Sequence, residues 1–228
     1  MKKKVNKLRV AIDGPAASGK NTLAKQIAKK YKLLHLDSGK LYRYFALQVY
    51  QSKDQKVNYA KLKQALKKLT LKKLKDKRLT TEPVTKIASI ISKKKRIRQM
   101  LKKVQHDLAY NPPKKFKGSV LDGRDIGTVI MPDAHVKVYL TASLNVRAVR
   151  RYKEYKKMGI KTSLGKVKGD IKKRDYEDIH RKISSLKPAK DAVLLDSSFY
   201  NTKAAFVEID KVIRNEIKRL NATKHKSL

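Results

Sequence analysis

The sequence predicts an α/β fold: a five-stranded parallel sheet with helices on both faces, carrying a small exposed lobe. Three observations predict it. Five short apolar runs alternate with amphipathic stretches, the pattern of strands joined by crossover helices. A length of 228 residues, 40% of them apolar, is enough for one domain with a sizeable core. No internal repeat breaks the alternation.

The elements follow in order. Lys7–Asp13 (KLRVAID) reads as a buried strand, and Lys20–Lys30 reads as a helix that places Leu23, Ala24, Ile27, Ala28 and the following Tyr31 on one face. Leu33–Leu36 is a second strand. Lys40–Gln51 is helical, with Leu41, Tyr42, Phe45, Ala46 and Val49 on a stripe. Ser52–Thr81 is lysine-rich with irregularly spaced leucines, and is expected to form one or two small helices in the lobe. Glu82–Tyr110 is expected as one longer helical stretch, opened by Pro83 in its first turn and stopped by Asn111-Pro112-Pro113. Ser119–Asp122 and Val136–Leu140 are strands. Ser143–Lys157 is a helix broken at Met158-Gly159, and Gly165–Ile183 is a basic helix with acidic punctuation. Ala192–Asp196 is the last strand and Thr202–Leu220 a terminal helix, with residues 221–228 expected as a frayed tail.

Composition excludes several classes. There is no cysteine, so disulfides and thiolate metal sites are ruled out, in keeping with a reducing compartment. The longest apolar runs are about five residues, far from the roughly 20 that span a bilayer. The basic start MKKKVNKLRV runs straight into a strand and lacks the apolar stretch of a signal peptide. A cytoplasmic protein is the expectation. The formal net charge of +40 would attract polyanions. The lysines, however, are spread over the whole chain and are not interleaved with aromatics, which make up only 7% of residues. Such a spread reads as lysine-biased surface composition rather than a dedicated nucleic-acid face.

The chemistry concentrates in a few places. In AIDGPAASGKNTLAK, Gly14-x4-Gly19-Lys20 follows a strand and opens a helix, the setting of a phosphate-cradling loop. Glycines let several backbone N–H groups point into one hollow. The first helical turn adds its unpaired amides and the positive end of its dipole. Lys20 adds a mobile cation that can follow a transferring phosphoryl group. A hydroxyl is expected directly after the lysine to serve Mg2+ or phosphate. Asn21 stands there instead, and Thr22 supplies the hydroxyl one position later. The plainer alternative is a tight strand–helix turn rich in small residues.

Asp37-Ser38-Gly39-Lys40-Leu41-Tyr42-Arg43 lies just after the second strand, where open α/β sheets bind ligands. Ser38 offers a hydroxyl and Arg43 a planar fork for phosphate; taken alone, a helix cap at Asp37 or Ser38 plus a surface arginine explains the same residues. In Leu121-Asp122-Gly123-Arg124-Asp125-Ile126-Gly127-Thr128 a strand ends in a carboxylate that could orient a Mg2+-bound water or the acceptor. Arg124 and Asp125 are expected to face the same crevice, against the alternative of a glycine-rich turn with an exposed ion pair. Arg147 and Arg151, with Arg150 between them, lie in the helix after the fourth strand, one turn apart and able to clamp a polyphosphate across a lid. Arg174, Asp178 and Arg181 form a mixed stripe that is a solvated face unless the crevice lies under it. The five histidines show no metal-ligand spacing, and no nucleophile triad stands out.

With these residues in view, the chain resembles bacterial cytidylate kinases, within the nucleoside monophosphate kinases of the P-loop class. The resemblance runs over most of the chain: IDGPAASGK with NT, LDSGKLYR, TTEPV with TKIAS, LDGRDIGTVIMPDA, VYLTAS with NVRAVRR, the KKRD-ED-HR stretch, and PAKDAVLLD. DSGxLYR together with DGRDIGT is far more specific than the phosphate loop. The resemblance implies one domain over 1–228, with a core of about 7–51, 82–145 and 184–220, a monophosphate-binding lobe of about 52–95 and a lid of about 146–183. It implies that Gly14, Pro15, Ala16, Ala17, Ser18, Gly19, Lys20, Asn21 and Thr22 bind ATP. Ser38, Arg43 and Arg124 would hold CMP or dCMP, with the arginines on its phosphate. Ser89, Arg98 and Asp125 would lie against the cytosine edge. Asp122 would sit beside the reacting phosphate. Arg174, Asp178 and Arg181 would contact the acceptor's sugar and phosphate, and Arg147 and Arg151 would be lid arginines. It further implies Mg2+ as cofactor, held through phosphates, water and Thr22, and a monomer with no membrane partner and nucleic acid bound only through non-specific charge. Two departures stand out. Family members usually have glycine where Asn21 stands, and their nucleotide-binding insert is longer and carries a small β-sheet, whereas Ser52–Thr81 is short and reads as helical. The rival readings are a P-loop kinase with another acceptor, and a non-enzymatic basic RNA-binding protein.

Overall fold

A computed structural model describes residues 7–225. It contains the expected five-stranded parallel sheet. The strands are β1 (Leu8–Asp13), β2 (Leu34–Asp37), β3 (Gly118–Gly123), β4 (Val136–Thr141) and β5 (Val193–Asp196), in the order β2-β3-β1-β4-β5. β1 runs parallel to both β3 and β4, and β4 parallel to β5, with Asp13 opposite Gly123 and Tyr139. All five strands therefore end on the same side, and β1 is central.

The chain divides into two compact units, residues 1–36 with 108–228, and residues 37–107. The first holds the sheet. On one face of it, Val10, Ile12, Val120, Val138 and Leu140 pack against Leu23, Ala24 and Ile27 of α1 (Lys20–Tyr31) and Ala205, Ile209 and Ile213 of α8 (Thr202–His225). The alternate residues Ala11 and Leu121 are fully buried too, as expected of strands covered on both faces. α6 (Leu144–Lys157) and α7 (Leu164–His180) form a smaller apolar contact through Ala148, Val167 and Ile171.

α7 stops earlier than its sequence pattern suggests. Arg181 turns into extended backbone, its Nε donates to the Ser184 carbonyl at 2.6 Å, and the Leu186 amide returns to the Asp178 carbonyl at 2.7 Å. These bonds replace the helical ones for residues 182–186. At the other end of the chain, α8 continues through His225 rather than fraying at 221; residues 226–228 of the expected tail lie outside the described residues, as do residues 1–6.

The second unit is helical. It contains α2 (Ser38–Tyr50), α3 (Tyr59–Lys67), two 3-10 turns at Lys73–Lys75 and Lys77–Thr80, α4 (Glu82–Ile91) and most of α5 (Lys95–Tyr110). Leu41, Phe45, Leu62, Leu79, Ile91, Ile97 and Leu101 are buried to 2% exposure or less and form its core. No strand occurs between residues 38 and 117, in keeping with the helical reading of the insert. The single helix expected over Glu82–Tyr110 is two helices. Val84, Ala88 and Ile91 form one buried stripe, but the next buried position is Ile97, six residues on, out of phase with a continuous 3.6-residue period. The chain breaks at Ser92, whose hydroxyl donates to the Ser89 carbonyl at 2.8 Å, and restarts in phase at Lys95. Among the described residues no helix is long and apolar enough to cross a membrane.

Candidate active site

The phosphate loop joins β1 to α1. Gly14 has φ 148°, and a Cβ there would lie 2.0 Å from the Leu140 carbonyl oxygen of β4, so no other residue fits. Gly19 caps α1 at φ 95°, and its carbonyl accepts the amides of Thr22 and Leu23 at 3.1 Å. Between them Ala17 takes a left-handed φ of 58° despite its Cβ. Lys20 is buried, and its ammonium donates to the Pro15 carbonyl at 2.6 Å and to the Ser18 hydroxyl at 3.2 Å, inside its own loop. Burial and the Arg124 guanidinium push its pKa well below the usual lysine value, against the opposing pull of Asp122, Asp13 and Asp178. Asn21 is half-buried and Thr22 exposed in the first turn of α1.

Two arginines of α6 brace this loop from outside. Arg147 donates to the Ala142 carbonyl at 2.8 Å and to the Ala16 carbonyl at 3.1 Å, and pairs with Asp175 of α7. The other oxygen of Asp175 accepts the Ala16 amide at 3.2 Å. Arg147 is thus buried against the loop backbone. Arg150 donates to the Ser197 hydroxyl at 2.9 Å and carbonyl at 2.7 Å, and Ser197 donates to the Ser18 carbonyl at 3.2 Å. Arg151 is more exposed, paired with Glu154 at 3.0 Å and set over the Tyr155 ring.

The ends of β1 and β3 supply the second half of this unit's cluster. Asp122 is buried, and its Oδ1 lies 2.7 Å from Nε2 of His35 on β2. Arg124 donates from Nε to Asp178 of α7 at 2.8 Å. Burial opposes the Arg124 charge, but Asp178 and Asp175 outweigh it and hold its pKa above the ordinary arginine value. Asp178 also accepts from Arg181 at 3.1 Å; burial opposes its charge, yet Arg124, Arg174 and Arg181 together keep its carboxyl below the usual range. The mixed stripe on α7 is therefore folded onto the phosphate-loop cluster rather than left as a solvated face. Asp125 is buried at the start of a one-turn π-helix, Ile126–Ile130. Asp13, the last residue of β1, accepts the Ile126 amide at 2.8 Å and the Gly127 amide at 2.7 Å.

The remaining candidates lie in the helical unit. Asp37 caps α2 by accepting the Lys40 amide at 3.2 Å, and pairs with Arg43 at 3.0 Å. Ser38 is buried at the first position of α2. Ser89 is half-buried on α4. Arg98 is buried on α5, donates to the Ser92 carbonyl at 3.2 Å, and lies over the Tyr42 ring at 5.5 Å.

Asp13, His35, Asp175 and Ser197 were not among the residues the sequence singled out for a role. Asp13 has a signal in hindsight: a lone carboxylate closing an apolar strand directly before Gly14. Asp175 sits inside the Arg174–Arg181 stripe. His35 and Ser197 have no comparable mark, because their partners lie 87 and 179 residues away.

Residues 10–218 match a family model described as cytidylate kinase. A protein of Streptococcus mutans named cytidylate kinase is 39% identical over 228 residues, covering 93% of this chain and 98% of the relative. One of Bradyrhizobium diazoefficiens with the same name is 46% identical over 189 residues, covering 83% and 87%. Among solved structures, an uncharacterized protein from Eubacterium ventriosum shares the fold, with a TM-score of 0.52 and 14% identity over 91% of this chain and 98% of that one.

Proposed function

The chain belongs to the cytidylate kinase family, and on that premise we propose how its residues move a phosphoryl group from ATP to CMP or dCMP. An oxygen of the acceptor's phosphate attacks the γ-phosphorus in line as the bond to the β-phosphate oxygen breaks. The products are ADP and CDP or dCDP, with no covalent enzyme intermediate. Residues Gly14 to Thr22 hold the ATP phosphates through loop amides and the start of α1. Lys20, released from the Pro15 carbonyl, follows the transferring group. Arg124 and Arg43 hold the acceptor phosphate, and Asp122 stands beside the reacting oxygens. Arg174, Asp178 and Arg181 contact the acceptor's sugar and phosphate, and Ser38 adds a hydroxyl. The lid arginines Arg147 and Arg151 disperse charge on the phosphates as the lid closes and excludes water. Ser89, Arg98 and Asp125 meet the cytosine edge. A carboxylate there accepts from the N4 amino group, whereas uracil would set an acceptor against it. Mg2+, when bound, would neutralise phosphate charge; the exposed Thr22 hydroxyl is a hard oxygen donor that would help to hold it, together with the phosphates and water.

The observation that carries this reading is the electrostatic cluster around Lys20. Arg124, Asp122, Asp13 and Asp178 all act on that one buried ammonium at the mouth of a helix. A phosphoryl group needs such a preorganised ring of charges. ADP release measured against a panel of CMP, dCMP, UMP and AMP tests the acceptor. Turnover highest with CMP and dCMP is expected, and equal or faster turnover with AMP would reject the assignment.

A further inference from the structure

We propose that Asp13 is a positioning residue for the acceptor: it clasps the segment carrying Arg124 by accepting the amides of Ile126 and Gly127. The proposal rests on the reading that Arg124 holds the acceptor phosphate. In the β1–β3 ladder Asp13 stands opposite Gly123, the last registered pair. Its side chain then reaches past the end of the sheet to Ile126 at 2.8 Å and Gly127 at 2.7 Å. Arg124 and Asp125 are the two residues between these tethers. The same residue thus pins both ends of the segment, by its backbone on one side and its carboxylate on the other.

The chemistry requires a carboxylate. Each oxygen serves one of two successive amides, and an asparagine would present an NH2 group to one of them. The site is enclosed: a Cβ on Gly127 would lie 3.4 Å from Oδ2 of Asp13 and 3.3 Å from Cδ of Lys137. The charged and titratable groups around Asp13 are Lys20 on α1, Arg124 and Asp125 on the segment itself, and Tyr139 and Lys137 on β4. Burial, with a smaller contribution from Asp125, pushes the Asp13 carboxyl up to about 6 in spite of its two amide bonds and Lys20. A protonated Asp13 keeps one good acceptor and resembles asparagine, so the clasp loosens as the pH falls through that value.

The test compares wild type with Asp13→Asn and Arg124→Ala, measuring kcat and the KM values for CMP and ATP between about pH 5 and 8. The expected result is a KM for CMP raised roughly tenfold or more in D13N at the alkaline end, with the KM for ATP changed less than about twofold. The wild-type to D13N ratio of kcat/KM for CMP should shrink toward unity at the acid end. The phosphate of CMP titrates in the same range, but it does so for both enzymes and cancels in the ratio. A ratio constant across the range, or equal changes in both KM values, overturns the proposal. If R124A raises the KM for CMP and D13N does not, the proposal fails and the acceptor reading stands; if neither raises it, the acceptor reading fails with it. Thermal melts check folding. Should D13N not fold, Gly127→Ala, which crowds the same carboxylate, is expected to raise the KM for CMP and spare that for ATP; an unchanged KM for CMP in folded G127A overturns the proposal.

Discussion

Lys20 is held by two groups of its own loop, the Pro15 carbonyl and the Ser18 hydroxyl, and its surroundings disfavour its charge. Removing it therefore costs the fold little and the reaction much. Lys20→Ala is expected to lower kcat by about 10²–10³-fold, the scale of losing one preorganised donor to the transferring group, while the melting temperature stays near that of wild type. Unchanged turnover in K20A would refute its role. Asp13 gives the opposite kind of prediction, about stability. Its folded pKa, about 6 against 3.8, is raised. A raised carboxylate contributes stability that is fully present below the unfolded value and lost as pH rises through the folded one. At pH 8 the ionised group thus costs roughly 2–3 kcal/mol relative to acid conditions. Between about pH 4 and 8, the denaturant stability of D13N should improve relative to wild type by an amount of that order. A stability difference independent of pH would contradict it. The residue scale is also where sequence was most and least legible. Gly14, Gly19 and Lys20 declare themselves, because a strand, small residues and one lysine have few other uses in that order. Asp13 and Asp175 do not, because a carboxylate's partner amides, here 113 and 159 residues away, leave no trace in local pattern.

At the scale of elements, apolar periodicity placed all five strands and the long helices, and missed where phase or side-chain bonds decide. The break between α4 and α5 was present as a slip from Ile91 to Ile97, but Ser92-Lys93-Lys94-Lys95 contains no glycine or proline to announce it. The early end of α7 depends on Arg181 reaching Ser184, which periodicity cannot show. The helices α6 and α7 are also tied to the phosphate loop, through Arg147, Asp175 and Ala16. Asp175→Ala would leave the buried Arg147 without its carboxylate, a loss of about 3–5 kcal/mol. Replacing both together, Arg147→Met with Asp175→Leu, removes the uncompensated charge and should recover much of that loss of stability, while still raising the KM for ATP because Ala16 loses its brace and lowering kcat because the transferring phosphates lose a cation. Urea unfolding of the two variants decides this; a double variant no more stable than D175A would mean that the pair matters for something other than charge compensation.

For the whole molecule, the dominant property is a net charge of +40. Few of these cations are in the phosphate-loop cluster, where arginines are matched by carboxylates: Arg124 and Arg181 by Asp178, and Arg147 by Asp175. The excess belongs to lysines distributed over exposed helix surfaces, such as Lys25, Lys29, Lys61, Lys63, Lys102 and Lys103. Such a field binds polyanions by releasing their counterions, without reading sequence. Single-stranded RNA homopolymers are therefore expected to bind at low salt with little preference among bases. The affinity should fall by roughly 300-fold or more between about 50 and 200 mM salt, as for six or more phosphates of a single strand neutralised. Because the arginines of the proposed site are internally paired, Arg124→Ala should leave this binding unchanged while impairing CMP turnover, and saturating CMP should not displace the RNA. Displacement by CMP, or loss of RNA binding in R124A, would instead place the polyanion in the catalytic cluster and make the surface lysines incidental. The two expected processes would separate in this way because their electrostatics differ in kind: buried arginines paired with carboxylates for a small dianion, and a salt-screened lysine-rich surface for a long one.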